Sequence, residues 1–110
     1  MTIEEMFEKT VKERLDEAEK ITGHNFYKLR ELIRLRTAVG AARILLSPSS
    51  PGSFPWGFRV LAEWDLLSKS IEQATVDFGN TGLFDEGQLS RARSQLVIAQ
   101  TIRLGNKARK

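Results

Sequence analysis

The sequence predicts an all-α fold, a compact orthogonal bundle of five or six helices, two of them short and central. Apolar residues recur at spacings of three and four along most of the chain, the period of a helix that buries one side. Capping signals precede several of these runs. No alternating run is long enough to nucleate a sheet. The length of 110 residues indicates one domain, which we place at 1–104 with a basic C-terminal tail at 105–110.

The first helix is predicted from about residue 3 to residue 21. Thr2 and Glu5 have the spacing of a capping box, and Gly23 stands where a left-handed C-terminal cap is expected. The apolar residues that follow helical spacing fall within about a third of the helix circumference. They are Ile3, Phe7, Val11, Leu15 and Ala18.

A second helix is predicted to begin near Asn25, and a third follows it after a break. The inner stripe of the second helix consists of Phe26, Leu29, Leu32 and Ile33. Thr37 is the predicted N-cap of the third helix, "AVGAARILL". We expect its Gly40, Ala41 and Ala42 to let a neighbouring backbone approach closely.

The central segment contains a loop and two short helices. Three prolines in "SPSSPGSFP", residues 47–55, predict the loop because proline removes amide donors and disfavours helix before it. One short helix opens at Gly57 and halts near Trp64, and Ser68 is the predicted start of the next. Such short helices depend on tertiary packing. The expected core residues are Phe58, Leu61, Leu66, Leu67 and Ile71, and Trp64 is also expected to be buried.

Turns are predicted at 77–84, followed by the last helix. Asp85 and Gln88 form a second capping-box pair, and this helix is predicted to run to about Leu104 and to end at Gly105. Its core stripe is Leu89, Ala92, Leu96 and Ala99.

Composition excludes several classes of function. The chain has no cysteine, so disulfides and thiolate chemistry are excluded. No apolar run reaches the roughly 18 residues of a membrane span, and the acidic, amphipathic N-terminus does not resemble a signal peptide. We therefore expect a soluble, cytoplasmic protein that does not bind membranes.

The net charge of +3 is unevenly distributed along the chain. Residues 1–20 carry a net −3, 21–50 a net +4, 51–90 a net −4 and 91–110 a net +6. Blocks of alternating sign indicate either contact with a polyanion or attraction between blocks within the fold.

No motif predicts catalysis, a metal or a cofactor, and no small-molecule substrate is expected. His24 is the sole histidine, and its place beside the end of the first helix favours a role in capping or a turn. Glu63 and Asp65 point to different sides of a helix and make a poor acid–base pair. The serines lack a G-x-S-x-G elbow, and there is no glycine-rich phosphate loop.

One functional hypothesis is nucleic-acid binding. Tyr27, Arg30 and Arg34 follow at helical spacing, which suits phosphate and base contacts. The alternative interpretation is a solvated face in which Glu31 pairs with Arg34 and Lys28 while Arg30 or Arg34 bridges to the acidic first helix. The remaining candidate basic residues are Lys28, Arg36, Arg43, Arg91, Arg93, Lys107, Arg109 and Lys110. Steep salt dependence, and weaker binding on Arg30→Ala with Arg34→Ala, would support this hypothesis.

The other hypothesis, which we favour, is contact with a protein partner or self-association. Ile98 and Ile102 fall outside the core stripe of the last helix, and Val97 lies on yet another side. A helix that is apolar on more than one face is either deeply buried or pairs with another molecule. Leu35, Ile98 and Ile102 are the predicted interface residues.

Several segments resemble an uncharacterised family of small all-helical bacterial proteins. "GAARILL" (40–46), "GF" and "L.E" within 57–63, "SIE" (70–72), "LF" (83–84) and "L..AR..L" (89–96) occur in that family's order. The chain departs from its pattern at Ala62, Ser68 and Lys69, and in a longer loop at 47–56. The resemblance, over about 15–97, implies a helical fold and a bacterial or phage origin but no activity. We therefore predict a small non-enzymatic interaction protein, as a homodimer or an assembly subunit.

Overall fold

The predicted all-α fold is confirmed by the computed structural model. It describes residues 1–47 and 55–108, with side chains described for 1–47 and 58–101. Within those residues there are α-helices and a 3₁₀ turn, and no strand. The helices are α1 (Ile3–Thr22), α2 (Tyr27–Leu45), α3 (Pro55–Glu63), α4 (Ile71–Asp77) and α5 (Glu86–Ala108), and the 3₁₀ turn is Leu67–Lys69. No helix in the described part of the chain is long and apolar enough to cross a membrane.

Helix α1 has the boundaries and the buried side that its sequence predicts. The Thr2 Oγ1 accepts from the Glu5 N–H at 3.1 Å, and the Thr2 N–H donates to Glu5 Oε1 at 3.0 Å. Gly23 closes the other end in the left-handed conformation, with φ 72°. Phe7, Val11, Leu15 and Ala18 are buried, while Ile3 is 41% exposed because it lies in the first turn, at the edge of the core.

Helix α2 is broken at Thr37, as the predicted third helix requires. Thr37 has φ 66° and ψ 167°, a conformation that costs a β-branched residue about 1–3 kcal/mol. Its Oγ1 accepts from the Gly40 N–H at 3.2 Å, so it caps the second half of α2. The Ala38 N–H donates to Glu8 Oε1 at 2.8 Å, which ties this new helix start to α1.

The prediction that Gly40 lets a neighbouring backbone approach closely is wrong. A Cβ built on Gly40 meets Arg36 Cβ at 3.2 Å and Thr37 Oγ1 at 3.5 Å, both from its own helix. The missing side chain therefore makes room for the Thr37 cap rather than for a neighbouring helix. Ala41 and Ala42 are fully buried and do face the core.

The two central helices are present, but the second begins later than predicted. Ser70 is the N-cap of α4, because its Oγ accepts from the Gln73 N–H at 3.0 Å. Ser68 lies inside the 3₁₀ turn Leu67–Lys69 instead. The Ser70 Oγ also donates to the Leu67 carbonyl at 2.7 Å, so Ser70 ends this turn and begins α4.

Trp64 is 48% exposed, which corrects the prediction that it is buried. The Leu66 N–H donates to the Leu61 carbonyl at 2.7 Å, and Asp65 adopts φ 60°. This is a Schellman-type end with an aspartate in the left-handed position. The change of chain direction at Asp65 brings Leu66 and Leu67, rather than Trp64, against the core.

Helix α5 has its predicted start and a later end. The Gln88 N–H donates to Asp85 Oδ1 at 2.7 Å, and the Asp85 N–H donates to Gln88 Oε1 at 2.9 Å, which completes the capping box. The helix continues through Gly105 to Ala108 rather than ending at Leu104. One interior glycine costs only about 1 kcal/mol and does not by itself end a helix. The proposed tail at 105–110 is thus helical as far as residue 108, and residues 109–110 lie outside the described part.

The core lies where α1 meets the other elements. Phe7 is fully buried, with ring centroids 5.2 Å from those of Phe78 and Phe84 in edge-on contacts. Helix α1 packs on α2, on α4 and on the 3₁₀ turn, whereas α5 packs on α4 and α3. Of the expected central core residues, Leu61, Leu67 and Ile71 are buried, and Phe58 and Leu66 pack against the core partly buried.

Candidate functional site

Arg30 ties α2 to α1 through two carboxylates. Its Nη2 lies 2.7 Å from Asp16 Oδ1 and 2.8 Å from Glu19 Oε1, and its Nε donates to Glu19 Oε2 at 3.1 Å. Glu19 Oε2 also accepts from the Phe26 N–H at 3.0 Å. The hydrogen bond from Arg30 is the main cause that lowers the pKa of Glu19, and the bond to Glu19 raises the pKa of Arg30.

Arg34, one turn further along α2, is held by Glu31. Its Nη2 lies 2.5 Å from Glu31 Oε1, and its Nε lies 3.0 Å from Glu31 Oε2. These hydrogen bonds lower the pKa of the Glu31 carboxyl and raise the pKa of Arg34. Tyr27, at the head of the row, is 64% exposed. Carboxylates therefore already occupy the Nε and Nη2 donors of both arginines.

The other basic candidates include two that bind backbone carbonyls and three that are exposed. Arg43 donates to the Leu83 carbonyl at 2.7 and 3.2 Å, and the Arg91 Nε donates to the Leu46 carbonyl. Lys28, Arg36 and Arg93 are exposed and make no ion pair with another described residue. The Lys107 side chain, Arg109 and Lys110 lie outside the described residues. Nucleic-acid binding stays a prediction.

Ion pairs between distant segments join α1 to other elements of the fold. Arg14 of α1 pairs with Asp77 of α4 at 2.8 Å, and Lys69 of the 3₁₀ turn pairs with Glu17 of α1. Together with Arg30, these contacts join α1 to three other elements. Only the Arg30 contacts join blocks of opposite net charge, because Arg14–Asp77 and Lys69–Glu17 both connect the net-negative blocks 1–20 and 51–90. General attraction between the blocks therefore stays a prediction.

The polar groups near His24 and on α4 serve local structure. The His24 N–H donates to Thr22 Oγ1 at 3.1 Å in the turn after α1, as its sequence position predicts. On α4 the buried Thr75 Oγ1 donates to the Ile71 carbonyl at 2.9 Å, and Glu72 is 1% exposed. Within the described residues, no three acidic or histidine side chains lie close enough together to hold a metal.

The surface of α5 opposite its core stripe is exposed and carries two apolar residues. The core stripe is buried, from Leu89 at 3% exposed to Ala99 at 1%. On the other side Val97 is 61% exposed and Ile98 is 59% exposed. The helical repeat of about 100° per residue groups them with three exposed hydroxyl residues. We define the α5 outer face as Ser90, Ser94, Val97, Ile98 and Thr101, all exposed.

None of the five residues of this face is charged, and the exposed Arg93 lies at its edge, one turn before Val97. Residues 94–102, between Arg93 and Arg103, include no charged side chain, although charged residues make up 28% of the chain. Exposed helix positions normally carry lysine, glutamate or arginine. Two adjacent, exposed β-branched apolar residues within an uncharged run of nine residues are instead typical of a surface that another protein covers.

The predicted interface residues are only partly found together. Ile98 is exposed on the α5 outer face. Leu35 is 62% exposed, but it lies on α2 about three turns before the Leu46 carbonyl where α5 meets that helix. The side chain of Ile102 lies outside the described residues.

Sequence reasoning missed Ser90, Ser94 and Thr101, and it separated Val97 from Ile98. The two apolar residues lie about 100° apart around the helix and form the two edges of one exposed face. A search for apolar periodicity overlooks small polar residues. The uncharged run at 94–102 was the signal that could have found them.

Comparison with known proteins does not assign the chain to a family. No family model matches the chain, and neither a curated protein nor a solved structure is significantly similar to it. The resemblance to a family of small helical bacterial proteins therefore stays a prediction.

Proposed function

We propose that the protein is a small non-enzymatic interaction protein that binds a protein partner through the α5 outer face. The observation that carries this proposal is the exposure of Val97 and Ile98 within the uncharged run 94–102 of α5. Full burial of such a side chain contributes about 1.5–3 kcal/mol, so the pair supplies a driving force for association. A bacterial or phage origin is proposed with it, on the family resemblance.

The α1–α2 surface supports this choice by contrast. Two of its arginines, Arg30 and Arg34, are already held by Asp16, Glu19 and Glu31. A ligand there has to compete with existing charge-assisted hydrogen bonds, which are roughly twice as strong as neutral ones. A ligand on the α5 outer face displaces only water.

Photo-crosslinking in the producing cell tests the proposal. A benzophenone amino acid replaces Thr101 in one strain and exposed Lys20 of α1 in a control strain. We expect a covalent protein adduct at position 101, with a second copy or with another protein, and none at position 20. If irradiation yields no adduct at position 101, or equal adducts at both positions, the proposal fails.

A further inference from the structure

We propose that the first half of α2, residues 27–36, is a hinged segment that detaches from α1 while the rest of the fold stays intact. Detachment frees the Arg30 guanidinium, which the closed form described above pairs with Asp16 and Glu19. The inference does not depend on the α5 outer face. It is carried by the unequal burial of the two halves of α2, the backbone at Thr37, and the separate caps of the second half.

The two halves of α2 are buried to different extents. Ile33 is the single buried residue of 27–36, and Leu29 and Leu32 are partly buried. The second half, 38–45, contributes far more to the core. Its buried residues are Ala38, Val39, Ala41, Ala42 and Leu45. Because segments with few buried apolar contacts open at a lower free energy, the first half should open before the second.

The two halves are also separate packing units. At about 100° per residue, Ile33 and Ala42 would face opposite sides of a continuous helix. Both are nevertheless buried, because the break at Thr37 turns one half relative to the other. Movement of the first half therefore does not require the buried side chains of the second half to move.

The backbone at Thr37 supports a hinge at this position. An N-cap residue normally has extended backbone geometry, with negative φ. The ψ of Thr37, 167°, fits that geometry, whereas its φ of 66° does not. Strain of this kind persists only where the surrounding contacts hold it. When the first half detaches, φ can return to its usual range while Thr37 still caps the second half.

The second half has its own start, which detachment leaves in place. The Thr37 Oγ1 accepts from the Gly40 N–H at 3.2 Å, and Glu8 Oε1 accepts from the Ala38 N–H at 2.8 Å. These contacts satisfy amide groups at the beginning of a helix, and none of them involves residues 27–36. The second half can therefore stay helical and docked on α1 when the first half leaves.

The segment is held closed mainly by one carboxylate and two apolar anchors. Glu19 Oε2 accepts from the Phe26 N–H at 3.0 Å and from the Arg30 Nε at 3.1 Å. These polar contacts are partly exposed, so water can replace them on detachment. Phe26 and Ile33, at 5% and 3% exposed, are the anchors whose burial makes the closed form predominate.

Native-state hydrogen exchange at increasing urea concentration, followed by NMR, tests the hinge. We expect the amides of 31–36 to exchange at least about tenfold faster than those of 42–45 in the absence of urea. The rate for 31–36 should depend little on urea, because local opening exposes little surface, while the rate for 42–45 should rise steeply. Equal rates with equal urea dependence, or faster exchange in 42–45, would overturn the inference.

A core substitution separates local from global opening. Phe84→Leu alters a buried ring that packs on Phe7, which detachment of 27–36 leaves undisturbed. We expect it to speed the exchange of 42–45 several-fold and to leave that of 31–36 unchanged. If it speeds both halves by the same factor, α2 opens only with the whole fold and the hinge is wrong.

A substitution at Arg30 tests the contact that closes the segment. Arg30→Gln should speed the exchange of 31–36 about tenfold, because it removes charge-assisted hydrogen bonds that only the closed form makes. Lys28→Gln, an exposed position on the same segment without a described ion pair, is the control and should not. An unchanged rate for 31–36 in Arg30→Gln, or the same increase in Lys28→Gln, would overturn the inference.

Discussion

The α1–α2 surface and the α5 outer face differ in how their exposed side chains are used. On α1–α2, arginines and carboxylates bind one another across the helix pair, with Arg30 reaching both Asp16 and Glu19. On α5, two β-branched apolar residues are exposed without a charged residue between positions 94 and 102. The exposed arginines Arg30 and Arg34 are paired within the chain, whereas the exposed side chains of Val97 and Ile98 can make no such ion pair.

This difference separates groups that stabilise the monomer from groups that are available to another molecule. Loss of a partly buried ion pair lowers the stability of the folded chain. Loss of an exposed apolar side chain leaves stability nearly unchanged and alters association instead. Mutations in the two regions should therefore have different readouts.

The largest effect is expected in the core that both regions share. Phe7→Ala removes a fully buried ring that contacts Phe78 and Phe84. We expect the free energy of unfolding to fall by about 3–5 kcal/mol, measured by urea denaturation. Met6→Ala, at a neighbouring position that is 47% exposed, is the control and should change it little. Similar losses for both variants would contradict the assigned position of the core.

Arg30→Gln should produce the next largest effect, because it breaks the contact between α1 and α2. We expect a loss of about 1–2 kcal/mol at neutral pH, measured by urea denaturation. Lys28→Gln, on the same helix and without a described ion pair, is the control and should lose much less. Equal losses would show that the ion pair does not stabilise the monomer.

The effect of Arg30→Gln should depend on pH in a defined direction. Arg30 lowers the pKa of Glu19 in the folded state below the usual 4.5. The stabilisation is therefore present above the unfolded pKa and is lost as the pH falls through the folded pKa. The stability gap between the wild type and Arg30→Gln should narrow on acidification below about pH 4.5. A gap that is constant from neutral to acid pH would exclude Glu19 as the linked group.

Substitutions at Thr37 test the strained break in α2. Thr37→Ala removes the cap and keeps the positive φ, so we expect a loss of about 1 kcal/mol. Thr37→Gly relieves the backbone strain and should be more stable than Thr37→Ala by about 1 kcal/mol, measured by thermal denaturation. If alanine proves the more stable of the two, α2 is continuous through residue 37.

The smallest effect on monomer stability is expected on the α5 outer face. Ile98→Lys should change the free energy of unfolding by less than about 0.5 kcal/mol in dilute solution. Urea denaturation of the dilute protein measures this change. A large destabilisation of the dilute monomer would place Ile98 in the core.

Much of the fold could be predicted because its signals are local. The capping boxes at Thr2 and Asp85, the break at Thr37 and the buried stripe of α1 each depend on residues within a few turns. Ser70 was missed as the cap because Ser68 and Ser70 are equivalent in sequence, and the choice depends on the 3₁₀ turn. Trp64 was misplaced because a left-handed aspartate cannot be read from the sequence pattern.

The candidate site was harder to predict than the fold. Exposure of Ile98 followed from its position outside the core stripe, but the extent of the face did not, because serine and threonine are neutral in a search for apolar periodicity. The pairing of Arg30 with Asp16 and Glu19 depends on how α2 lies against α1. The sequence therefore left the nucleic-acid and ion-pair interpretations open.

Carbene footprinting most directly tests whether another protein covers the α5 outer face. Labelling of the peptide that contains Val97 and Ile98 is compared between dilute purified protein and concentrated extract of the producing cell, with the Tyr27 peptide as the internal reference. We expect the labelling yield of the Val97–Ile98 peptide, divided by that of the Tyr27 peptide, to fall several-fold in the extract. The reason is that the α5 outer face becomes covered while Tyr27 stays exposed. An unchanged ratio, or selective protection of Tyr27, would contradict the account.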